Sequence, residues 1–188
     1  MTTPVAVVLL AEGFEDIEAV TVIDVLRRGG VNTVTASVGE SLDVDSAHGV
    51  TVRADRLLSD LGDDLWDALI LPGGMPGTAN LAKSPLVVDA LKRHADNSRL
   101  ICAICAAPTV LVSSGVLPSG VHVTCYPSCS VDLDRTPAGA PVVADGNFIT
   151  GQAPGSAMLF ALVVLQHLMG QNVTAKTANG MVTDVLNF

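Results

Sequence analysis

A chain of 188 residues, 49% hydrophobic and only 15% charged, is long enough for one domain with a substantial core and too apolar for a disordered segment. Its formal net charge of −9, with no basic stripe, excludes nucleic acid and anionic membrane as natural partners. The longest apolar runs, about Leu100 to Val112 and Ala157 to Leu165, fall short of a membrane span.

Met1 to Ala11 is apolar but follows no Lys or Arg and runs straight into Glu12, Glu15, Asp16 and Glu18, unlike a signal peptide. The four cysteines therefore read as free thiols in a reducing compartment, with a cytoplasmic location expected. Asn172-Val173-Thr174 then matches a glycosylation acceptor by chance.

Val5 to Leu10 is a β-branched apolar run that predicts a buried strand, with Ala11-Glu12-Gly13-Phe14 as the loop at its carboxyl end. A helix follows from about Glu15, with Ile17, Val20, Val22, Ile23, Val25 and Leu26 as its apolar positions and Gly29-Gly30 as its stop. Val31 to Val38 is the next strand. This β-α-β opening implies a parallel sheet with right-handed crossovers. The segment around Gly49 reads as a turn between two short strands.

Asp63 to Leu71 leads into a buried strand, Ala68-Leu69-Ile70-Leu71, closed by Pro72-Gly73-Gly74. Two glycines there allow close approach of the backbone to a ligand or side chain, although a plain turn is their commoner use. Ser84 to Ala95 is an amphipathic helix with Ser84 as N-cap and Pro85 at its first position. Arg99 to Ile104 suits a strand buried on both faces, followed by a helix that Pro108 starts and Gly115 stops. His122 to Thr124 reads as a further strand, Val142 to Ile149 as a hairpin, and Ala157 to Met169 as an apolar helix ended by Gly170. With no repeat and no linker, residues 1–188 read as a single domain, a three-layer α/β/α sandwich.

Cys105 falls at the bend between strand and helix. Free N–H groups and a helix dipole at such a bend favour a thiolate, and the carboxyl edge of a parallel sheet is where sites are built. The plainer reading, a small buried hydrophobe, stands beside this one for Cys105 and suits Cys102 better. Cys102-x-x-Cys105 is not a thioredoxin-type pair, because its first cysteine lies inside the strand.

Glu18, one turn into the first helix and on the side of Val22, is the carboxyl placed to face inward. A surface charge is the simpler alternative. Beside a sulfur, such a carboxyl would be partly desolvated, would favour its proton and would serve as general acid or base. His94 and His167 read as solvated helix residues. His48 in the hairpin and His122 reach a site only through folding or a partner subunit. His122, Cys125 and Cys129 offer three metal ligands without a second pair, too few for a zinc reading, and no cofactor motif is present.

Together, LLAEGFEDIEAV, the LPGG of Leu71 to Gly74, AICAAPTVL from Ala103 to Leu111, and APGSA before the last long helix resemble the ThiJ/PfpI superfamily. Within it they are most similar to the branch of the parkinsonism-associated protein deglycase (DJ-one) and its bacterial relatives. The resemblance implies a flavodoxin-like fold, Cys105 as an oxidation-prone nucleophile, and Glu18 as the carboxyl bonded to its sulfur. It further implies an anion or oxyanion pocket of the Gly74 and Ala106 N–H groups, and a homodimer built partly on the first helix.

The activities it implies are conversion of methylglyoxal to lactate without glutathione, removal of early glyoxal adducts from proteins and nucleotides, and a chaperone-like or sensing role through cysteine sulfinate. Some members carry a thiazole-biosynthesis label. In the intracellular-protease branch a histidine follows the nucleophile. Here Ala106 does, which argues against a cysteine peptidase. Tyr126 stands where the deglycase branch often has histidine, and His48 where the family has an anion-binding arginine. A phenol, with a pKa of about 10, is a poor proton shuttle at neutral pH, so Tyr126 is an accessory hydrogen-bond donor at most.

Overall fold

A computed structural model describes residues 2–183. In chain order the elements are β1 (Val5–Leu10), α1 (Asp16–Arg28), β2 (Asn32–Ser37), β3 (Asp43–Asp45), β4 (Thr51–Arg53), β5 (Arg56–Leu57), β6 (Ala68–Leu71), α2 (Gly77–Lys83) and α3 (Pro85–Asp96). They continue with β7 (Leu100–Ile104), α4 (Pro108–Ser113), β8 (Val142–Asp145), β9 (Phe148–Gly151), α5 (Ala157–Met169) and α6 (Gln171–Gly180).

Seven strands form one sheet in the order β5-β2-β1-β6-β7-β9-β8, parallel except where β8 folds back on β9. Because side chains alternate along a strand, each strand supplies both faces. Ala6, Val8, Leu10, Ile70 and Cys102 pack under α1 and α5, while Val7, Leu9, Leu69, Ile101 and Ala103 pack under α3 and α4. The result is the expected flavodoxin-like α/β/α sandwich. No helix among the described residues is long and apolar enough to cross a membrane.

The order of strands reverses between β1 and β6, and such switch points open a crevice at the carboxyl edge. The loops after β1, β6 and β7 all end there.

Two expectations change. His122 to Thr124 is not a strand. The edges of β7 and β9 near it are already taken by β6, β9 and β8, so this stretch pairs irregularly, with the Thr124 N–H donating to the Thr150 hydroxyl at 2.9 Å. The buried strand expected at Ala68–Leu71 forms with those bounds. His94 is not solvated but fully buried, its Nε2 accepting the Trp66 N–H at 3.1 Å and its Nδ1 lying 2.8 Å from the Ala90 carbonyl. Its apolar surroundings, above all, lower its pKa.

Replacing His94 with alanine strands the Trp66 N–H and opens a void. Urea denaturation should show a loss of about 3 kcal/mol, and a change under about 0.5 would contradict this role.

Candidate active site

Three loops build the site. After β1 the chain turns through Gly13 and Phe14 into α1, whose first turns carry Glu18 inward, with no exposed surface. After β6 the backbone passes through Gly73 and Gly74. After β7 it turns sharply at Cys105, whose φ of 64° is a left-handed conformation that costs a non-glycine residue roughly 1–3 kcal/mol. The Cys105 N–H donates to the Gly151 carbonyl at 2.9 Å, which ties the bend to β9.

Glu18 meets Cys105 inside this frame. The Gly73 N–H donates to Glu18 Oε2 at 2.7 Å. Oε1 is buried without a nitrogen or hydroxyl partner, leaving the Cys105 sulfur as the group it can bond. Burial, above all, lifts the Glu18 carboxyl to about 7, against the pull of the Gly73 N–H. Burial and then the adjacent Glu18 carboxylate push the Cys105 thiol up to about 12, while the N–H groups of Ala106 and Gly74 act in the other direction.

A thiolate favoured by the helix start is therefore not what the bend provides on its own. α4 is only Pro108–Ser113, and two N–H groups do not offset the burial. The carboxyl and thiol instead titrate as a pair, each holding its proton at the other's expense.

The glycines make this contact possible. A Cβ at Gly73 would lie 2.7 Å from Cys105 Cβ and 2.8 Å from Glu18 Oε2. At Gly74, with φ of 90°, it would lie 2.5 Å from the Glu15 nitrogen. Close approach, rather than a plain turn, is what this pair serves. Gly73 was legible only as half of that pair, and its bond to Glu18 has no signature in sequence.

Gly74, Cys105 and Ala106 line one cavity of about 190 Å³ together with Met75, Tyr126 and Cys129. Tyr126 is thus at the cavity wall. His48 is not: it lies on the exposed β3–β4 hairpin, its Nδ1 2.7 Å from Asp16 and 3.4 Å from Glu15. Its hydrogen bond to the Asp16 carboxylate, ahead of the field of Glu15, raises the His48 pKa. Glu15, Asp16 and His48 are the only trio of potential metal ligands that converges among the described residues. His122 turns instead to Asp145, at 2.8 Å, away from any joint site with Cys125 and Cys129.

A model of the DJ-1/PfpI family matches residues 5–167. The chain belongs to this family. It is 38% identical over 184 residues to protein dj-1beta of Drosophila melanogaster, covering 94% of this chain and 95% of that one. It is 36% identical over 174 residues to the glutathione-independent glyoxalase DJR-1.2 of Caenorhabditis elegans, covering 89% and 90%. It spans only 42% of the length of DJ-1 homolog B of Arabidopsis thaliana, at 35% identity and 96% of its own length. Oxidised Toxoplasma gondii DJ-1 superposes with a TM-score of 0.93 at 33% identity, over 97% of this chain and all of that one. The switch-point crevice of this DJ-1/PfpI fold is where Glu18, Gly73 and Cys105 converge.

Gly73→Ala forces Glu18 and Cys105 apart and should destabilise the protein by about 2 kcal/mol. Gly139→Ala, where a methyl meets nothing within 4 Å, should stay within about 0.5 kcal/mol. Equal effects in paired denaturation curves would refute the close-approach reading.

Proposed function

We propose that this chain converts methylglyoxal and related 2-oxoaldehydes, or their early adducts on proteins and nucleotides, through the Cys105 sulfur assisted by Glu18. The observation that carries the reading is the buried Glu18 carboxyl, lifted to about 7 beside Cys105. Membership of a family that includes a protein named a glutathione-independent glyoxalase supports it.

The chemistry needs no oxidant, because one carbon of the substrate is oxidised as its neighbour is reduced. The Cys105 sulfur adds to the aldehyde carbon as its proton passes to Glu18, giving a hemithioacetal. The N–H groups of Gly74 and Ala106 are the donors for the developing oxyanion. Glu18 passes that proton to the hemithioacetal oxygen, and as a carboxylate again takes the proton from the former aldehyde carbon and returns it to the neighbouring carbon, through an enediol. The product is a thioester of lactate. Water cleaves it, releasing lactate and restoring the thiol. A group titrating near neutrality suits both directions of this transfer.

Tyr126 favours a second reading. A phenol replaces the expected imidazole at the cavity wall, which weakens turnover without touching the sulfur. The chain would then act as an oxidative-stress sensor or redox-regulated chaperone whose Cys105 sulfinate is held by Glu18.

Lactate production from methylglyoxal by freshly reduced protein tests both readings. The enzyme reading expects turnover that falls at least about a hundredfold in Cys105→Ser and rises in Tyr126→His. No lactate from the wild-type protein, with turnover appearing in Tyr126→His, would replace it with the sensor.

A further inference from the structure

Cys105 does not stand alone at its cavity. Cys129, half-buried in the 3-10 turn Pro127–Asp132, lines the same 190 Å³ space. That turn is tied to the nucleophile: the Tyr126 N–H donates to the Cys105 carbonyl at 2.8 Å. A third thiol is held against the same residue. The Cys125 Sγ lies 3.3 Å from the Tyr126 carbonyl oxygen, and the Cys129 N–H donates to that oxygen at 2.9 Å. Both cysteines thus meet one acceptor atom, Cys125 through its sulfur and Cys129 through its backbone N–H, on the same residue that anchors the turn to Cys105.

We propose that Cys125 and Cys129 are a resolving pair that carries oxidation away from Cys105 as a disulfide, so that the site reduces hydroperoxides without progressing to sulfinate. The inference rests on the reactive Cys105 of the preceding section and adds to it a destination for the oxidising equivalents.

The steps balance. The Cys105 sulfur takes the terminal oxygen of a hydroperoxide, the O–O bond breaks, and an alcohol leaves, or water if the oxidant is hydrogen peroxide. The sulfenic acid so formed faces the cavity. The Cys129 sulfur attacks it, the S–O bond breaks, and water leaves with the thiol proton. Cys125 then attacks the Cys129 sulfur and displaces Cys105, which leaves as a thiolate and recovers a proton. In sum, one hydroperoxide and two thiols give one alcohol, one water and the Cys125–Cys129 disulfide. A small external dithiol, such as dithiothreitol in the assay, returns the pair to thiols.

The assignment of roles follows from exposure and charge. Cys129 is the more accessible of the two and the one at the cavity wall, so it makes the first attack. Cys125 is buried behind it and is the internal partner. Burial first, then the charges of Cys129 and Asp132, raise the Cys125 thiol to about 11, which keeps the pair reduced and protonated until an electrophilic sulfur appears. Cys102, buried inside β7, takes no part.

The test is stoichiometric peroxide on the reduced protein, followed by alkylation of free thiols, intact mass and a non-reducing peptide map. In the wild-type protein the expected product has lost two hydrogens, with Cys125 linked to Cys129 and Cys105 free to be alkylated. Cys125→Ser should trap the Cys105–Cys129 disulfide. In Cys129→Ser, Cys105 should gain two oxygens instead. In Cys105→Ser, the Cys125–Cys129 link should form at least about tenfold more slowly.

A wild-type protein with Cys105 oxygenated and both other thiols alkylatable overturns the relay while leaving Cys105 reactive. A Cys125–Cys129 link that forms equally fast in Cys105→Ser also overturns it. Cys105 unmodified and no link in the wild-type protein would overturn the relay and the reactive-sulfur reading together. Because the wild-type map alone contradicts or supports the route, misfolding of the Cys125→Ser variant leaves the test intact.

Discussion

A carboxyl group with no exposed surface is packed against a buried sulfur, and the arrangement of loops around them follows from that contact. Removing both groups from water favours their neutral forms, so a charge on either is tolerated only while the other keeps its proton. The frame that holds them is stiff at each point. Gly73 donates to one carboxyl oxygen and has no side chain to separate the pair. Cys105 is held in a left-handed conformation by its bond to the Gly151 carbonyl on β9. A strained nucleophile, a carboxyl titrating near neutrality and convergent N–H groups are unfavourable for folding taken singly. The core of the sandwich offsets them.

Much of this was legible in the chain. Continuous apolar runs at Val5–Leu10, Ala68–Leu71 and Leu100–Ile104 signal strands buried on both faces, and the helices between them impose a parallel sheet. Glu18 stood out through its spacing from Val22, which places both on the inner side of α1. What could not be read is what depends on distance across the fold. The bond from Gly73 to Glu18 joins residues in different loops. The burial that raises the Cys105 thiol comes from the whole crevice and outweighs the lowering by the local N–H groups of Ala106 and Gly74, a balance no local reading contains.

His94 misled for a related reason. Its helix neighbours Arg93 and Ala95 say nothing of Trp66, whose backbone N–H seeks an acceptor in the interior. The short helix α2 and the helix α6 lacked signals because one is a single glycine-led stretch and the other is mostly polar. His122 to Thr124 has strand-like residues, but its N–H groups at His122 and Thr124 are taken by the side chains of Asp145 and Thr150 rather than by a strand ladder.

The cavity beside Cys105 combines two chemistries on its walls. N–H groups of Gly74 and Ala106 suit an oxygen that gains negative charge, whereas Tyr126 and Cys129 lie on the opposite stretch of chain after α4. The proposed aldehyde addition would use the first wall and the proposed disulfide exchange the second. Both would begin with the same sulfur losing a proton to, or sharing one with, Glu18. His48, bound to Asp16 and Glu15 at the start of α1, instead fastens the β3–β4 hairpin over that helix and leaves the sulfur to Glu18 alone.

The central claim is that Glu18 is a buried acid coupled to Cys105, and its titration measures this directly. Carbon-13 NMR of glutamate-labelled protein, assigned by comparison with Glu18→Gln, should show one carboxyl titrating near pH 7 rather than near 4.5. Because the folded-state value is the raised one, the stability it contributes is complete below about 4.5 and is lost as pH rises through about 7. That inflection should move when Cys105 is changed to serine. A Glu18 carboxyl that titrates near 4.5, or that ignores the change at Cys105, would contradict the account.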